Sequence, residues 1–494
     1  MPDTFIIIFF VVVFAAVLTY IIPVGKYDIQ EITYRDAKGK EQSKTVVDAD
    51  SYRMERDARG RSMRRGISLF KEGGEVGFSN YAFEGLVSGD KWGSAVGLIA
   101  LLLIIGGAFK IVFRTGAVEV GIMTVLHRTK GVERAVIPVM FILFSLGGAV
   151  IGMGEEAIAF AMIIIPVVIA LGYDSITGIF ITYVATQVGF ATGPVNPFSA
   201  MLAQGIAGVP LLSGSLFRWI MWSVFTLASC VFISRYAKKI RKNPMSSVAY
   251  ESDVSFREEF QVSRDTPEKF RIGHLLVILT IFGTISWSIW GVLVRGYWIP
   301  EISTQYFILG LVAGIIGVLF KLKNMRINDI ALSFKDGAKE LLGAALVVGM
   351  AKGILLVLGG DSPDQANVLN TILHYSGRAM VVLPTALSAW FMYIFQAVFN
   401  FFVISASGQA ALTMPLLSPL ADIVGVTRQV AVLAYQLGDG LTNFIYPTAA
   451  VLVAVLGIAR LDWIKWIKFQ IKFQVILFIL ASMFIFIAVF IGFK

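Results

Sequence analysis

The sequence predicts an all-α polytopic membrane protein with inverted-topology repeats, each holding a re-entrant helical hairpin and a broken transmembrane helix. Three observations carry this prediction: long apolar runs, an internal repeat, and matching polar interruptions within the runs. Of 494 residues, 56% are hydrophobic and 15% charged, and mean hydropathy is +0.76. Soluble domains carry about 25% charged residues. A bilayer span needs about 20 mostly apolar residues. Runs 4–24, 94–113, 217–234, 275–294, 304–320, 341–358 and 473–493 qualify.

Composition also removes function classes. Cys230 is the single cysteine, which rules out an internal disulfide and a thiolate metal cluster. The three histidines are far apart, which argues against a histidine metal site; His127 and His374 read as loop-end residues. A net charge of +9 would point to nucleic acid in a soluble chain. Here the basic residues occupy loops, where they set orientation, and no nucleic-acid partner is expected. The run 4–24 lacks a basic n-region and a small-residue cleavage site, so it reads as an uncleaved span.

Four basic loops face the cytoplasm on the positive-inside rule. They are His127-Arg128-Thr129-Lys130 with Arg134; Arg235 to Lys242; Lys321, Lys323 and Arg326; and Arg460, Lys465, Lys468 and Lys472. The segment 25–92 is nearly balanced, with 13 Lys/Arg against 12 Asp/Glu. Alternation with its neighbours puts it outside. The N-terminus is then cytoplasmic and the C-terminus extracytoplasmic.

The repeat is read residue by residue. Thr124-Val125-Leu126-His127 returns as Thr371-Ile372-Leu373-His374, and Pro138 as Pro384. Gly152 to Ala157 aligns with Ser405 to Ala410, Pro166 with Pro419, and Gln187-Val188-Gly189 with Gln436-Leu437-Gly438. The first copy starts in the cytoplasm and the second outside, the pattern of inverted-repeat transporters. The expected organisation is a first span (1–24), an extracytoplasmic insertion (25–92), repeat 1 (93–236; hairpin 135–171, broken helix 176–210), a cytoplasmic loop (237–271), two further helices (272–322) and repeat 2 (323–494; hairpin 379–423, broken helix 428–459).

In the zone 135–171, the middle Gly147 to Glu156 breaks a helix and carries two acids. The second copy descends over 379–404, turns at Ser405 to Gln409 and returns over 410–423. Irregular backbone at membrane depth survives only where protein or a watery cavity covers it. The following spans break at Gly189 to Pro197 and at Gly438 to Thr448, where glycines allow tight turns and prolines block helix continuation. Broken helices expose carbonyls that can hold Na⁺ and N–H groups that can hold a carboxylate.

Ionised groups at this depth are costly and normally face a cavity or partner. The substrate-binding candidates are therefore Glu155, Glu156, Thr192, Asn196, Asn400, Ser405, Ser407, Gly408, Gln409, Asp439, Thr442, Asn443 and Lys352. For Na⁺ they are Gly154, Glu155, Asn196, Ser407, Asp439 and Asn443, because a hard cation wants oxygen ligands. The alternatives are an ion pair or helix cap for Glu156, a hydrogen-bonded tip for Ser405/Ser407/Gln409, and turn stabilisation for Asn196. Lys110 lies in the span before the first hairpin, as Lys352 does before the second.

The motifs Gly152-Met153-Gly154-Glu155-Glu156-Ala157, Ser405-Ala406-Ser407-Gly408-Gln409-Ala410 and Gln436-Leu437-Gly438-Asp439-Gly440-Leu441-Thr442-Asn443, with Pro447-Thr448, resemble one family. So does the opening span ending Tyr20-Ile21-Ile22-Pro23-Val24-Gly25. The likeness is to the YfcC branch of the anaerobic C4-dicarboxylate carriers (DcuC-type), within the ion transporter superfamily. It covers nearly the whole chain outside 25–92 and 245–270. The resemblance implies a bacterial inner-membrane homodimer, each protomer having a scaffold and a mobile transport part of elevator type. Lys352 stands where an arginine is the family's expected residue.

The resulting expectation is a secondary transporter, symporter or exchanger, of small organic ions, with no cofactor beyond a coupling Na⁺ or H⁺. Three acids near the site tilt the substrate toward basic amino acids such as arginine or ornithine; a C4-dicarboxylate is the alternative. A channel would lack paired hairpins. An enzyme would need a nucleophile with its base or a metal cluster, and neither is legible.

Overall fold

The computed structural model describes residues 4–35, 41–92, 94–118, 120–121, 133–196, 198–258, 270–360 and 362–494. The basic loop His127 to Lys130, the repeat match at Thr124 to His127, Pro197 and residues 259–269 of the 237–271 loop lie outside them.

The chain is a mostly helical polytopic membrane protein. Among the described residues, six helices are long and apolar enough to cross a bilayer, including Ala95–Arg114, Ile327–Leu358 and Trp463–Phe490. In chain order the helices are α1 (Thr4–Ile21), α2 (Tyr81–Val87), α3 (Ser94–Arg114), α4 (Glu133–Ile151), α5 (Glu156–Ala170), α6 (Ser175–Thr192, with one π turn), α7 (Ala200–Ala207) and α8 (Ser215–Lys242). Then follow α9 (Ile272–Trp290), α10 (Ile299–Leu319), α11 (Ile327–Leu358), α12 (Val368–Val381), α13 (Thr385–Asn400), α14 (Ala406–Ile423), α15 (Arg428–Gly440), α16 (Ala450–Ile458) and α17 (Trp463–Phe490).

Two groups of helices pack together. In the first, α3 lies along α10 and α11, α9 lies against α10, and α1 and α2 lie against α11. The second contains two series with one packing scheme. The leg α4 packs on α6, as α13 packs on α15; the return leg α5 packs on α16, as α14 packs on α7. The long helix α8 lies on α4 and α6, as α17 lies on α13 and α15. The helices before the two breaks cross where a Cβ on Gly440 would stand 2.6 Å from the Ala191 Cα. Any larger residue would force α6 and α15 apart.

The boundaries need three corrections. The descending leg of the second hairpin begins at Thr385, and residues 379–381 finish α12; Pro384 cannot continue the earlier helix, because it lacks an N–H and its ring clashes with the preceding turn. Helix continues through Gly189 to Thr192 and through Gly438 to Gly440, so the breaks are Gly193 to Ser199 and Leu441 to Ala449. His374 is not at a loop end: it lies inside α12 and stacks on Tyr52, with ring centroids 3.9 Å apart.

The insertion holds two antiparallel ribbons. Strand β1 (Gly25–Lys26) pairs with β4 (Arg53–Met54), and β2 (Ile29–Arg35) with β3 (Glu41–Val47). β2 and β3 rest on α7 and α14.

Candidate functional site

At the first tip, Gly152 ends α4 with φ +73°, a conformation that favours glycine. The Gly154 N–H donates to Glu156 Oε2 at 3.0 Å. Glu156, the first residue of its helix, thus braces the tip through a main-chain N–H just before it, while half-buried Glu155 makes no capping bond. Glu156 also stands within electrostatic reach of Tyr306 on α10.

Asn196 is fully buried and wholly occupied. Its Oδ1 accepts the N–H groups of Phe198 (2.9 Å) and Ser199 (3.3 Å), and its Nδ2 donates to the carbonyls of Gly148 and Phe190 at 3.4 Å. These bonds fix the first break against the first hairpin. The Thr192 hydroxyl donates to the Val188 carbonyl at 2.6 Å. Asn196 therefore braces the break, while the Thr192 bond lies inside α6 itself.

At the second tip, exposed Ser405 caps α14 by accepting the Gly408 N–H at 3.3 Å, and Ser407 is half-buried. Gln409 is buried one turn in. Its Nε2 donates to the carbonyl of Gln396 (2.9 Å) and to Gln396 Oε1 (2.6 Å).

The second break converges on Asn400. Its Nδ2 donates to the Asp439 carbonyl (3.0 Å), Thr442 Oγ1 (2.8 Å) and Asn443 Oδ1 (2.8 Å). The freed carbonyls of the break are met by side chains of α17: Gln474 donates to Leu441, Trp466 to Phe444 and Trp463 to Ile445. Buried acceptors with no donor among the described residues include both oxygens of Asp439, Asn400 Oδ1, Gln409 Oε1 and Gln474 Oε1. Asp439 is 0% exposed.

One tyrosine joins the halves and a second ties the second broken helix to its own tip. Tyr183 of α6 donates to the Asn443 carbonyl at 2.9 Å and lies within electrostatic reach of Glu155 and Asp439. Tyr435 of α15 donates to the Ala406 carbonyl in the second tip at 2.7 Å and lies within reach of Asp439. Two glutamines cross reciprocally: Asn443 Nδ2 donates to Gln187 Oε1 at 3.1 Å, and Gln436 Nε2 donates to the Gly193 carbonyl of the first break at 2.6 Å.

The sequence profile of the C4-dicarboxylate anaerobic carriers (DcuC) matches residues 1–490. The chain belongs to that family. YfcC of Escherichia coli (strain K12), provisionally named a basic amino acid antiporter, is 50% identical over 483 residues, spanning 98% of this chain and 95% of its own. An uncharacterized protein of Haemophilus influenzae (strain ATCC 51907 / DSM 11121 / KW20 / Rd) is 30% identical over 494 residues, spanning 95% of this chain and 93% of its own. Among solved structures, the Alcanivorax borkumensis YdaH transporter aligns over 99% of both chains at 13% identity with a TM-score of 0.38. Neisseria gonorrhoeae MtrF aligns at 14% identity over 99% of this chain and 96% of its own, with a TM-score of 0.41.

In this DcuC-family chain, Asn400, Asp439, Thr442 and Asn443 form one hydrogen-bonded cluster, and Tyr183 relates it to Glu155. Lys352 sits half-buried on α11, outside the tips and breaks. Lys110 pairs with Glu340, Nζ to Oε1 2.5 Å. Sequence reading passed over Tyr183, Tyr435, Gln396 and Arg218. The last is a fully buried guanidinium inside the apolar run 217–234, bonded to Gln436 Oε1 (3.1 Å), Gln429 Oε1 (3.0 Å) and the Ser213 carbonyl (3.0 Å). An arginine in an otherwise apolar span was the available signal.

Proposed function

We propose that the chain is a secondary active transporter of a small organic cation, with a basic amino acid such as arginine or ornithine as the substrate class. The observation that carries this reading is Asp439, buried with neither carboxylate oxygen receiving a donor. A buried carboxylate without a partner is costly, so such a group takes up a proton, Na⁺, or the ammonium or guanidinium of a substrate. The undonated oxygens of Asn400 and Gln409 add acceptors to the same class of ligand. A C4-dicarboxylate needs donors and would meet acceptors there. The name of the relative YfcC, half identical to this chain, points the same way.

In this reading the two helix series are inverted copies that move together as a transport part against the α3–α10–α11 scaffold, in a homodimer of the bacterial inner membrane. The N-terminus is cytoplasmic and the C-terminus outside. A coupling Na⁺ or H⁺ shares Asp439 or Glu155 with the substrate.

The test is counterflow in proteoliposomes. Loaded unlabelled arginine or ornithine should accelerate uptake of labelled arginine, and succinate should not. Counterflow with succinate alone would overturn the substrate class; counterflow with none of them would count against all three.

A further inference from the structure

A cavity of about 570 Å³ lies between the two groups of helices, lined among others by Lys110 of α3, Asp336 and Glu340 of α11, Met162 and Pro166 of α5, and Arg460 beyond α16. Lys110 and Glu340 neutralise one another at 2.5 Å. Asp336, one turn from Glu340, is exposed and takes part in no hydrogen bond or ion pair among the described residues. The wall thus offers both signs of charge, with one carboxylate unengaged. Along α5, Met162 is six residues from Glu156, about 9 Å at 1.5 Å per residue. The nearest lining residue of α5 is thus about 9 Å along the helix from the acidic first tip. Arg460 belongs to a basic loop, which puts the mouth on the cytoplasmic side.

We infer that this cavity is a cytoplasmic vestibule that binds a small zwitterion before it reaches the central site, with Asp336 holding the cationic end. The inference rests on the transport reading above. Each end of a zwitterion finds an opposite charge on the wall. A dicarboxylate has no cationic end to offer Asp336, and such a mismatch is how a site rejects a near relative.

Ser333 lines the same cavity and carries no charge. In full-length protein with Cys230→Ser, the Ser333→Cys thiol should react with a membrane-impermeant methanethiosulfonate applied to the cytoplasmic face of everted vesicles. Arginine should slow labelling and succinate should not. Adding Asp336→Asn should weaken arginine protection by about tenfold, the loss of one charge-assisted contact. Leu332→Cys, also on the lining, gives the same readout should Ser333→Cys fold poorly. Labelling only from the opposite face, equal protection by succinate, or undiminished arginine protection in Asp336→Asn would overturn the vestibule. Protection without arginine uptake by the wild-type protein would instead count against the transport reading.

Discussion

The side-chain amide of Asn400 donates to the main-chain carbonyl of Asp439 at 3.0 Å, while both carboxylate oxygens of Asp439 go without a donor among the described residues. The second hairpin thus holds the broken helix by its backbone and leaves the carboxylate in the last turn of α15 chemically open. Thr442 and Asn443 are drawn into the same amide, so the surroundings of Asp439 are rigid although its carboxylate is uncommitted. Preorganised oxygen groups of this kind suit a site that must bind and release repeatedly.

Asp439→Asn should abolish most transport, by about 100-fold, in keeping with about 1.5–3 kcal/mol for a hydrogen bond to a charged group. Its melting temperature in detergent should be equal to or above wild type, because a buried neutral amide costs less than a buried unpaired charge. Uptake at the wild-type rate would remove Asp439 from the site.

Tyr183→Phe deletes the donor to the Asn443 carbonyl and leaves the ring volume intact. An orphaned buried acceptor costs about 1–3 kcal/mol. Uptake kinetics should show KM raised by about tenfold with folded yield retained. An unchanged KM would make the tyrosine a packing residue.

The two glutamates of the first tip should separate. Glu156→Ala removes the bond from the Gly154 N–H and should lower stability by about 1 kcal/mol, the usual net worth of one hydrogen bond. Glu155 makes no such bond, so Glu155→Ala should leave the melting temperature unchanged and reduce uptake. Thermal unfolding and uptake measured on both variants decide the assignment; equal melting losses would merge the two roles.

The loop segment after α8 carries a pH dependence. Burial pushes the Asp253 carboxyl up to about 6, with nearby Asp174 adding to the rise and the Ser175 N–H and Arg257 opposing it. The folded protein therefore holds this proton more tightly than the unfolded chain. The contribution to stability is intact below about pH 4 and declines as pH climbs to about 6, by about 3 kcal/mol in all. Asp253→Asn should gain stability over wild type across that window in melting curves taken between pH 4 and 8. A constant difference would show that Asp253 does not titrate there.

Sequence alone determined the membrane class, because apolar runs of span length tolerate few other solutions. It also marked the regions of both tips and started both breaks a few residues early, because glycine, proline and acids inside apolar runs disfavour helix without fixing the residue at which it stops. It named Asp439, Asn400, Thr442 and Asn443 for the same reason. It did not separate candidates that bind from candidates that brace. Asn196 and Glu156 look as functional as Asp439 on paper, yet the first spends both its amide atoms on backbone and the second accepts the Gly154 N–H of its own tip. Tyr183 and Gln187 on α6 meet Asn443 across more than 250 residues of chain, a distance no local pattern spans. Which polar atoms stay without a partner is a property of the packed whole, since every hydrogen bond that satisfies one group must be supplied by another helix.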